Sequence, residues 1–418
     1  MSETVQSAIA VEPGGKINPR IILLALGMFA LGTDAFVIAG VLPVIAHDTH
    51  VTEGMAGQLV TAFALTYGLG SPILAGLASR WSPNRVLVGA LGLFCLSNIA
   101  SALAPTFPLL LLTRILTGCF AATYAPLAYS TGVSLAPAAK RGQALALVAI
   151  GLTIATALGS PLGTWVGEHF SWRMSFVLIA GLAGVAFLAL LFVGLPKAAT
   201  PPRLSLRARL APVTQPRLVL ALLPALLWYL GYYVVYTYIA PFLQQNLKIV
   251  DISGLLIAFG LGVVIGSWSG GKLADRFGSR RPLLISVGGV MILEAILSLT
   301  THTLFGSLVM LFVFGLVGAI IFIPQQYRLL SLAPEHANVI LALNNSTFYL
   351  GVAGGAALGA VALRSIAVTQ LGWVGAACTF LALLLFILST RLSKRRAAEH
   401  EQHYQDAPSL EPQEMAIH

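Results

Sequence analysis

The chain has 418 residues, of which 57% are hydrophobic and only 9% charged, where an average soluble domain carries roughly 25% charge. A soluble fold of this length could not cover its surface with so few charges, so the composition implies a lipid bilayer as solvent. The +9 formal charge does not point to nucleic acid, because the basic residues form short clusters between apolar runs, the pattern of cytoplasmic loops.

The first 20 residues are polar and lack the apolar core of a cleavable signal peptide, so the first apolar run is the expected targeting signal. Crossing a bilayer takes about 20 apolar residues. Twelve such runs follow, at 21–46, 55–79, 86–105, 107–134, 143–167, 174–195, 218–245, 252–271, 283–301, 304–331, 338–363 and 371–390. Most breaks carry Pro, Gly or charge. With the N-terminus inside, 20 of the 24 Lys and Arg residues face the cytoplasm. Three (Arg173, Lys248, Arg364) lie outside, and Arg114 falls within a run. That asymmetry places both termini in the cytoplasm. The expected fold is an all-α membrane protein of 12 transmembrane helices in two pseudo-symmetric six-helix bundles, 21–195 and 218–391. A cytoplasmic tail (1–20), a basic cytoplasmic linker (196–217) and a disordered cytoplasmic tail (392–418) complete it.

A shift of 196 residues lays the second half on the first. Gly70-Ser71 meets Gly266-Ser267, Leu77-Ala78 and Arg80 meet Leu273-Ala274 and Arg276, and Ala155, Gly159 and Gly163 meet Gly351, Gly355 and Gly359. Six runs separate the copies, so they share one direction, as in a parallel repeat about an axis normal to the membrane. In run five, small residues recur every fourth position at Gly151, Ala155, Gly159, Gly163 and Gly167. Run eleven has Gly351, Gly355 and Gly359. Such rows form grooves that admit a second helix backbone. The groove is either static packing or a sliding contact where the two halves meet, and its matched position in both favours the latter.

Three ionisable residues lie well inside runs: Asp34, Arg114 and Glu294. Each costs several kcal/mol there unless paired or hydrated, so each is a functional candidate by default. At 1.5 Å per residue, Asp34 and Arg114 both lie roughly 10 Å from the outer edge of the apolar core. Opposite charges at matching depth can meet across neighbouring helices. Such a pair is either a fixed structural contact or a proton switch, because an apolar cavity favours the neutral carboxyl and a nearby Arg the charged one. Glu294 sits mid-run and fits a hydrogen-bonding role.

Run seven carries Trp228, Tyr229, Tyr232, Tyr233, Tyr236 and Tyr238, with Trp228, Tyr232 and Tyr236 on one helical face. Tyr236 and Tyr238 also suit an interfacial belt. Trp228 and Tyr229 lie too deep for it, and the row forms either core packing or a wall for an apolar or sugar-like ligand. Phe36, Tyr124, Asn344, Asn345, Phe348 and Tyr349 are candidates to complete such a cavity. The three cysteines lie in apolar runs without metal or redox spacing.

The segment Gly271-Lys272-Leu273-Ala274-Asp275-Arg276-Phe277-Gly278-Ser279-Arg280-Arg281 is similar to the cytoplasmic gating loop of the major facilitator superfamily. Gly159-Ser160-Pro161-Leu162-Gly163-Thr164, followed by Trp172-Arg173, looks like the signature of its drug:proton antiporters. Arg114 and Gly118 resemble the motif of span four, and Asp34, nine residues before Pro43, resembles the acid at the end of span one. Over all twelve runs the chain resembles bacterial drug and sugar efflux proteins of the arabinose-efflux type. The first-half counterpart of the gating loop departs from the pattern: Ser79 stands for the usual Asp and Ser82 for the usual Gly, between Arg80 and Arg85. The resemblance implies a multi-pass bacterial inner-membrane transporter, functional as a monomer, with Asp34 and Arg114 in proton coupling, Pro161 and the glycines of runs five and eleven in helix packing, and Arg80, Arg85, Gly271, Asp275, Arg276, Gly278 and Arg281 in gating.

These features lead to a proton-driven exporter of a drug-like, sugar-like or nucleoside-like solute, with proton-coupled import on the same scaffold as the alternative. The expected partners are a small molecule, protons and lipid, without nucleic acid. No cofactor is expected besides the proton gradient. An enzyme is disfavoured because the sequence has no nucleophile elbow or metal cluster, and ATP is excluded as the driving force because no Walker-type phosphate loop occurs.

Overall fold

The computed structural model describes residues 17–78, 81–137, 140–196, 216–332 and 337–405. It is almost wholly helical. The first group is α1 (Ile21–Asp48), α2 (Glu53–Ala78), α3 (Pro83–Ala102), α4 (Phe107–Ser134), α5 (Arg141–Ile154), a π-helical turn (Ala155–Gly159), α6 (Ser160–His169) and α7 (Trp172–Val193). The second is α8 (Pro216–Thr237), α9 (Ile239–Leu247), α10 (Ser253–Phe277), α11 (Arg280–Thr300), α12 (Leu304–Ala319), α13 (Phe322–Leu332), α14 (Ala337–Ala362) and α15 (Leu371–Gln405).

Among the described residues, ten segments are long and apolar enough to cross a membrane. The two other expected runs are also helical, as α2 and α14, with 26 residues each. They pack along one another between the two groups, where polar side chains such as Gln58, Tyr67 and Asn344 can replace lipid-facing apolar ones. Three expected runs are broken helices. Run five turns through the π-helical stretch, because Pro161 has no N–H to donate one turn back and the ladder slips to Ser160 N–H on Ala155 O. Run seven breaks at Tyr238, and run ten at Ile320–Ile321. The segment expected as a gating loop is mostly helix. Gly271, Asp275 and Arg276 lie within α10, Gly278 makes the turn at φ 72°, and Arg281 lies in the first turn of α11. Arg85 is in the first turn of α3, whereas Arg80 and the linker 197–215 lie outside the described residues.

The 196-residue repeat reappears as a repeated packing plan. In the first group α2 packs on α4, α3 on α7, and α1 on the broken fifth run. In the second, α10 packs on α12, α11 on α15, and α8 on α14. Between the groups, α2 faces α14 while the π-turn and α6 face α10.

The small-residue grooves do not lie between the groups, contrary to the sliding-contact expectation. A Cβ on Gly151 would overlap the Ala25 carbonyl of α1, and one on Gly159 would overlap Thr33 Oγ1. Ala155 likewise faces Gly32, and Gly163 faces Val37. In the second group Gly351, Gly355 and Gly359 receive Tyr229, Tyr233 and Tyr238. Both grooves therefore hold helices of the same group together. The close approach between the groups falls instead at Gly260 of α10, whose Cα faces the backbone of Thr156 and Ala157 in the π-turn. Gly54 of α2 also lies close against Ala360 of α14.

Because the Gly151 groove leaves no room for a side chain, Gly151→Val will force α5 away from α1 and cost about 1–3 kcal/mol. Gly181, which has nothing within 4 Å of a built Cβ, supplies the control. Thermal unfolding in detergent should show a lower Tm for Gly151→Val and an unchanged one for Gly181→Ala. Equal values would show that the groove is not close-packed.

Candidate functional site

The geometry places Asp34 and Arg114 together. Arg114 Nη1 donates to Asp34 Oδ1 at 2.6 Å, and Nη2 donates to the Asp34 carbonyl at 3.3 Å. Both side chains are buried, at 0% and 1% exposure. The pair is held from several sides. Gly32 and Thr33, next to Asp34, press on the π-turn of run five. Gly118, one turn beyond Arg114, abuts the Phe63 carbonyl of α2. The guanidinium lies 4.6 Å from the Phe63 ring centroid and 5.8 Å from that of Phe176, distances at which a desolvated cation gains from the ring face. One carboxylate oxygen, Asp34 Oδ2, and Arg114 Nε have no hydrogen-bond partner. The carboxylate thus keeps a free acceptor beside its counter-charge, so it can take a proton without first breaking the 2.6 Å contact.

The aromatic residues of run seven form a continuous cluster. Tyr232 stacks between Trp228 and Phe314, at centroid distances of 4.9 Å and 4.3 Å. Tyr236 stacks on Phe259 at 4.7 Å. Tyr229 and Tyr233 meet the edge of Phe348 at 5.0 Å and 5.7 Å. All are buried or nearly so. The cluster crosses between the groups at two places. Phe36 of α1 meets Tyr236 at 6.3 Å, and Tyr67 of α2 stacks on Tyr349 of α14 at 3.7 Å. Phe63 touches Tyr349 at 6.5 Å, so one ring connects the Arg114 guanidinium with the aromatic cluster. Phe63, Tyr67, Phe259 and Phe314 escaped the sequence reading, since a Phe in an apolar run carries no signal separating a wall from a lipid-facing residue.

One expected cavity residue, Tyr124, and one residue expected to suit an interfacial belt, Tyr238, differ in role. Tyr124 is buried inside the first group, where its hydroxyl donates to the Leu24 carbonyl at 3.1 Å and its ring fills the notch at Gly27. It is a packing residue, because α1 offers a glycine there. Tyr238 fills a corresponding notch at Gly57 and Gly359, and donates to the Ala356 carbonyl at 2.8 Å. Asn344 is buried with its Oδ1 unpartnered, and Asn345 is within reach of the Tyr67 hydroxyl. Glu294 accepts a hydrogen bond from Thr379 at 2.7 Å and lies between α11 and α15, the hydrogen-bonding position expected of it. Tyr327 of α13 donates to Asp275 of α10 at 3.2 Å. At the C-terminal end of α1, Asp48 accepts from Trp172 Nε1 at 2.7 Å and Arg173 Nη1 at 2.6 Å, a staple between α1 and α7. The sequence flagged Trp172-Arg173 but not its acidic partner. Among the described residues no group of three or more His, Cys, Asp and Glu could hold a metal ion.

A family model described as Major Facilitator Superfamily matches residues 24–356. The chain is 34% identical over 381 residues to the inner membrane transport protein YdhP of Escherichia coli (strain K12), covering 90% of this chain and 97% of that protein. It is 31% identical over 376 residues to the uncharacterized MFS-type transporter YbcL of Bacillus subtilis (strain 168), covering 88% and 95%. Among solved structures it is similar to a mutant of the nucleoside transporter NupG, with TM-score 0.70, 13% identity and coverage of 88% and 98%. A bacterial homologue of the human lysosomal transporter Spinster, inward-facing and unoccupied, gives TM-score 0.69, 17% identity and coverage of 90% and 98%.

The buried pair makes a direct prediction. Arg114→Gln strands an unpaired carboxylate and should cost about 3–5 kcal/mol of stability, or force Asp34 neutral. Adding Asp34→Asn removes the stranded charge, so the double variant should regain most of the loss. A double-mutant cycle on thermal stability in detergent measures this, and additive losses would show that the two charges are not coupled.

Proposed function

The chain belongs to the Major Facilitator Superfamily, and on that premise we propose that it is a proton-coupled exporter of the drug:proton antiporter type. It is a multi-pass inner-membrane protein and a secondary transporter of small solutes. Its curated relatives are named as transport proteins. In this proposal the chain crosses the membrane twelve times with both termini in the cytoplasm, as bundles 21–195 and 218–391 joined by the basic linker. It works as a monomer, and the proton gradient is its only energy source.

One observation carries the coupling proposal: a buried carboxylate with a free oxygen lies beside an Arg whose guanidinium rests on the aromatic ring that reaches the second group. Protonation of Asp34 cancels the attraction that holds Arg114 in place. A freed guanidinium then gains more from Phe63 or from a polar group of the solute. Solute arriving on the aromatic wall displaces Phe63 and Tyr349 and acts on the same cation from the other side. Proton and solute thus compete for one arrangement of Arg114, which is the requirement for exchange. The wall itself suits a flat or amphipathic solute, with ring faces for contact and the Trp228 N–H and Asn344 carbonyl oxygen, both unpartnered, for orientation. The gating roles of Asp275 and its neighbours fit the cytoplasmic end, where Tyr327 ties α13 to α10.

Proteoliposomes with an imposed pH gradient and a compound panel test the proposal. Asp34→Asn should abolish proton-driven accumulation while leaving downhill solute exchange. If proton-driven transport persists at wild-type rate, Asp34 is not the coupling residue. The sign of the linked fluxes separates exchange from import, since an importer moves solute and proton in the same direction. Tyr232→Ala should raise the apparent KM about tenfold or more by removing a stacked ring, with proton stoichiometry unchanged. An unaltered KM would remove the aromatic wall from the binding site.

A further inference from the structure

The outer ends of the two groups meet at a second set of charges, distinct from Asp34 and Arg114. Glu168 and His169 end α6, and Asp251 precedes α10. Glu168 Oε1 accepts the Ile252 N–H at 3.4 Å across the gap. His169 Nε2 lies 3.8 Å from Asp251 Oδ2. Asp251 Oδ1 is occupied by the Ser253 N–H at 2.8 Å and the Ser253 hydroxyl at 2.6 Å.

The second Glu168 oxygen decides the chemistry. Glu168 Oε2 is buried and lacks a donor, while the group within hydrogen-bond reach of Glu168 is the Asp251 carboxyl. Two ionised carboxylates are acceptors only and repel at this range. A proton between them turns the repulsion into a short, charge-assisted hydrogen bond. Asp251 is the member that stays ionised. Burial pushes its carboxyl up, but the Ser253 donors, the bond from Glu168 and the nearby His169 together hold it below the usual range. Glu168 is then the proton carrier.

The other charged groups around α6 are engaged elsewhere. From α1, Asp48 is bound to Trp172 and Arg173, and His50 acts on Asp48. From α7, Arg173 is spent on Asp48 and the Ala104 carbonyl. On α6 itself, His169 lies against the same acid, with Nε2 3.8 Å from Asp251 Oδ2.

We propose that Glu168 and Asp251 form a proton-operated latch that holds the outer ends of the two groups together when one proton is shared and releases them when it leaves. The latch rests on the transporter reading for its use, since an outer gate closed by external protons would couple opening to the gradient. Its geometry requires no solute. Because the bound proton stabilises the closed form, that form is present at low pH and lost as pH rises through the titration of Glu168, with a closed-to-open ratio that falls about tenfold per pH unit for a single proton.

The test uses the full chain in lipid nanodiscs, with Cys95, Cys119 and Cys378 replaced. Spin labels go at the exposed outer positions Leu103 and Phe305, and their separation is followed by pulsed electron resonance from about pH 5 to about pH 9, a range that brackets carboxyl and imidazole titration. The wild-type separation should lengthen as pH rises. Glu168→Gln, whose amide donates to Asp251 permanently, should stay short throughout, and so should Asp251→Asn. Glu168→Ala should be long throughout. Asp34→Asn should keep the wild-type pH dependence, which separates failure of the latch from failure of the coupling proposal. A wild-type separation that ignores pH, a Glu168→Gln profile that tracks wild type, or a pH dependence that vanishes in Asp34→Asn would each overturn the latch.

Discussion

A charge inside a bilayer must be answered within the protein, and the contact between Asp34 and Arg114 is where this chain meets that constraint. Neither group can face lipid, so α1 and α4 must present them to each other at one depth. That requirement propagates. The 2.6 Å contact needs α1 close to α4, and α1 is fixed in turn by the glycine groove of run five. Gly159 and Gly163 bring that run onto Thr33 and Val37, on either side of Asp34 in the chain. The groove that the sequence suggested for movement between the groups is thus the support for the charge pair. Its π-turn, imposed by Pro161, also supplies the backbone of Thr156 and Ala157 that meets Gly260 of the other group. One proline-containing motif serves both contacts.

The two groups share a packing plan and differ in chemistry. Equivalent helices pair in both, as expected of a repeat, and small residues occupy corresponding places. What fills the grooves differs. In the first group the glycines of run five receive Thr33 and valines of α1. In the second, those of run eleven receive Tyr229, Tyr233 and Tyr238. Of these only Tyr238 brings its ring to the glycine, whereas Tyr229 and Tyr233 meet Gly351 and Gly355 with Cβ and backbone atoms; within the cluster it is the Tyr232 ring that lies against a glycine, Gly318. The buried charge pair belongs to the first group.

The sequence disclosed elements whose signals are local or repeated. Apolar run length gave the helices, and the 196-residue offset anticipated the paired packing. Depth counting from the ends of runs one and four placed Asp34 opposite Arg114. What stayed hidden depends on which way a helix faces. Tyr124 of run four looked like a candidate to complete the cavity, but the notch at Gly27 draws it inward toward α1. Phe63 and Phe314 have ordinary apolar neighbours in the chain, so only rotation about the helix axis distinguishes them from lipid-facing residues. The acids Glu168 and Asp251 lie far apart in the chain, at the ends of separate runs, and nothing periodic links them.

Rings and charges meet across the groups at Phe63 and Tyr349, and this contact sets how a local event could be felt at distance. A guanidinium above a ring is held by a quadrupole that falls off steeply with separation, and the alternative anchor is the Asp34 carboxylate. The two anchors differ in one respect: a proton can cancel only the carboxylate. Arg114 therefore has a charge-dependent partner on one side and a charge-independent partner on the other. In the proposed coupling, neutralising Asp34 shifts the balance toward the ring by removing an attraction and adds no new contact. The ring is itself in contact with Tyr349, directly and through Tyr67, so in the proposed coupling a change at Arg114 reaches the second group through these rings. A substitution that preserves size but alters the face of that ring would change the partition of Arg114 between its two anchors while leaving the helix packing around Gly118 in place.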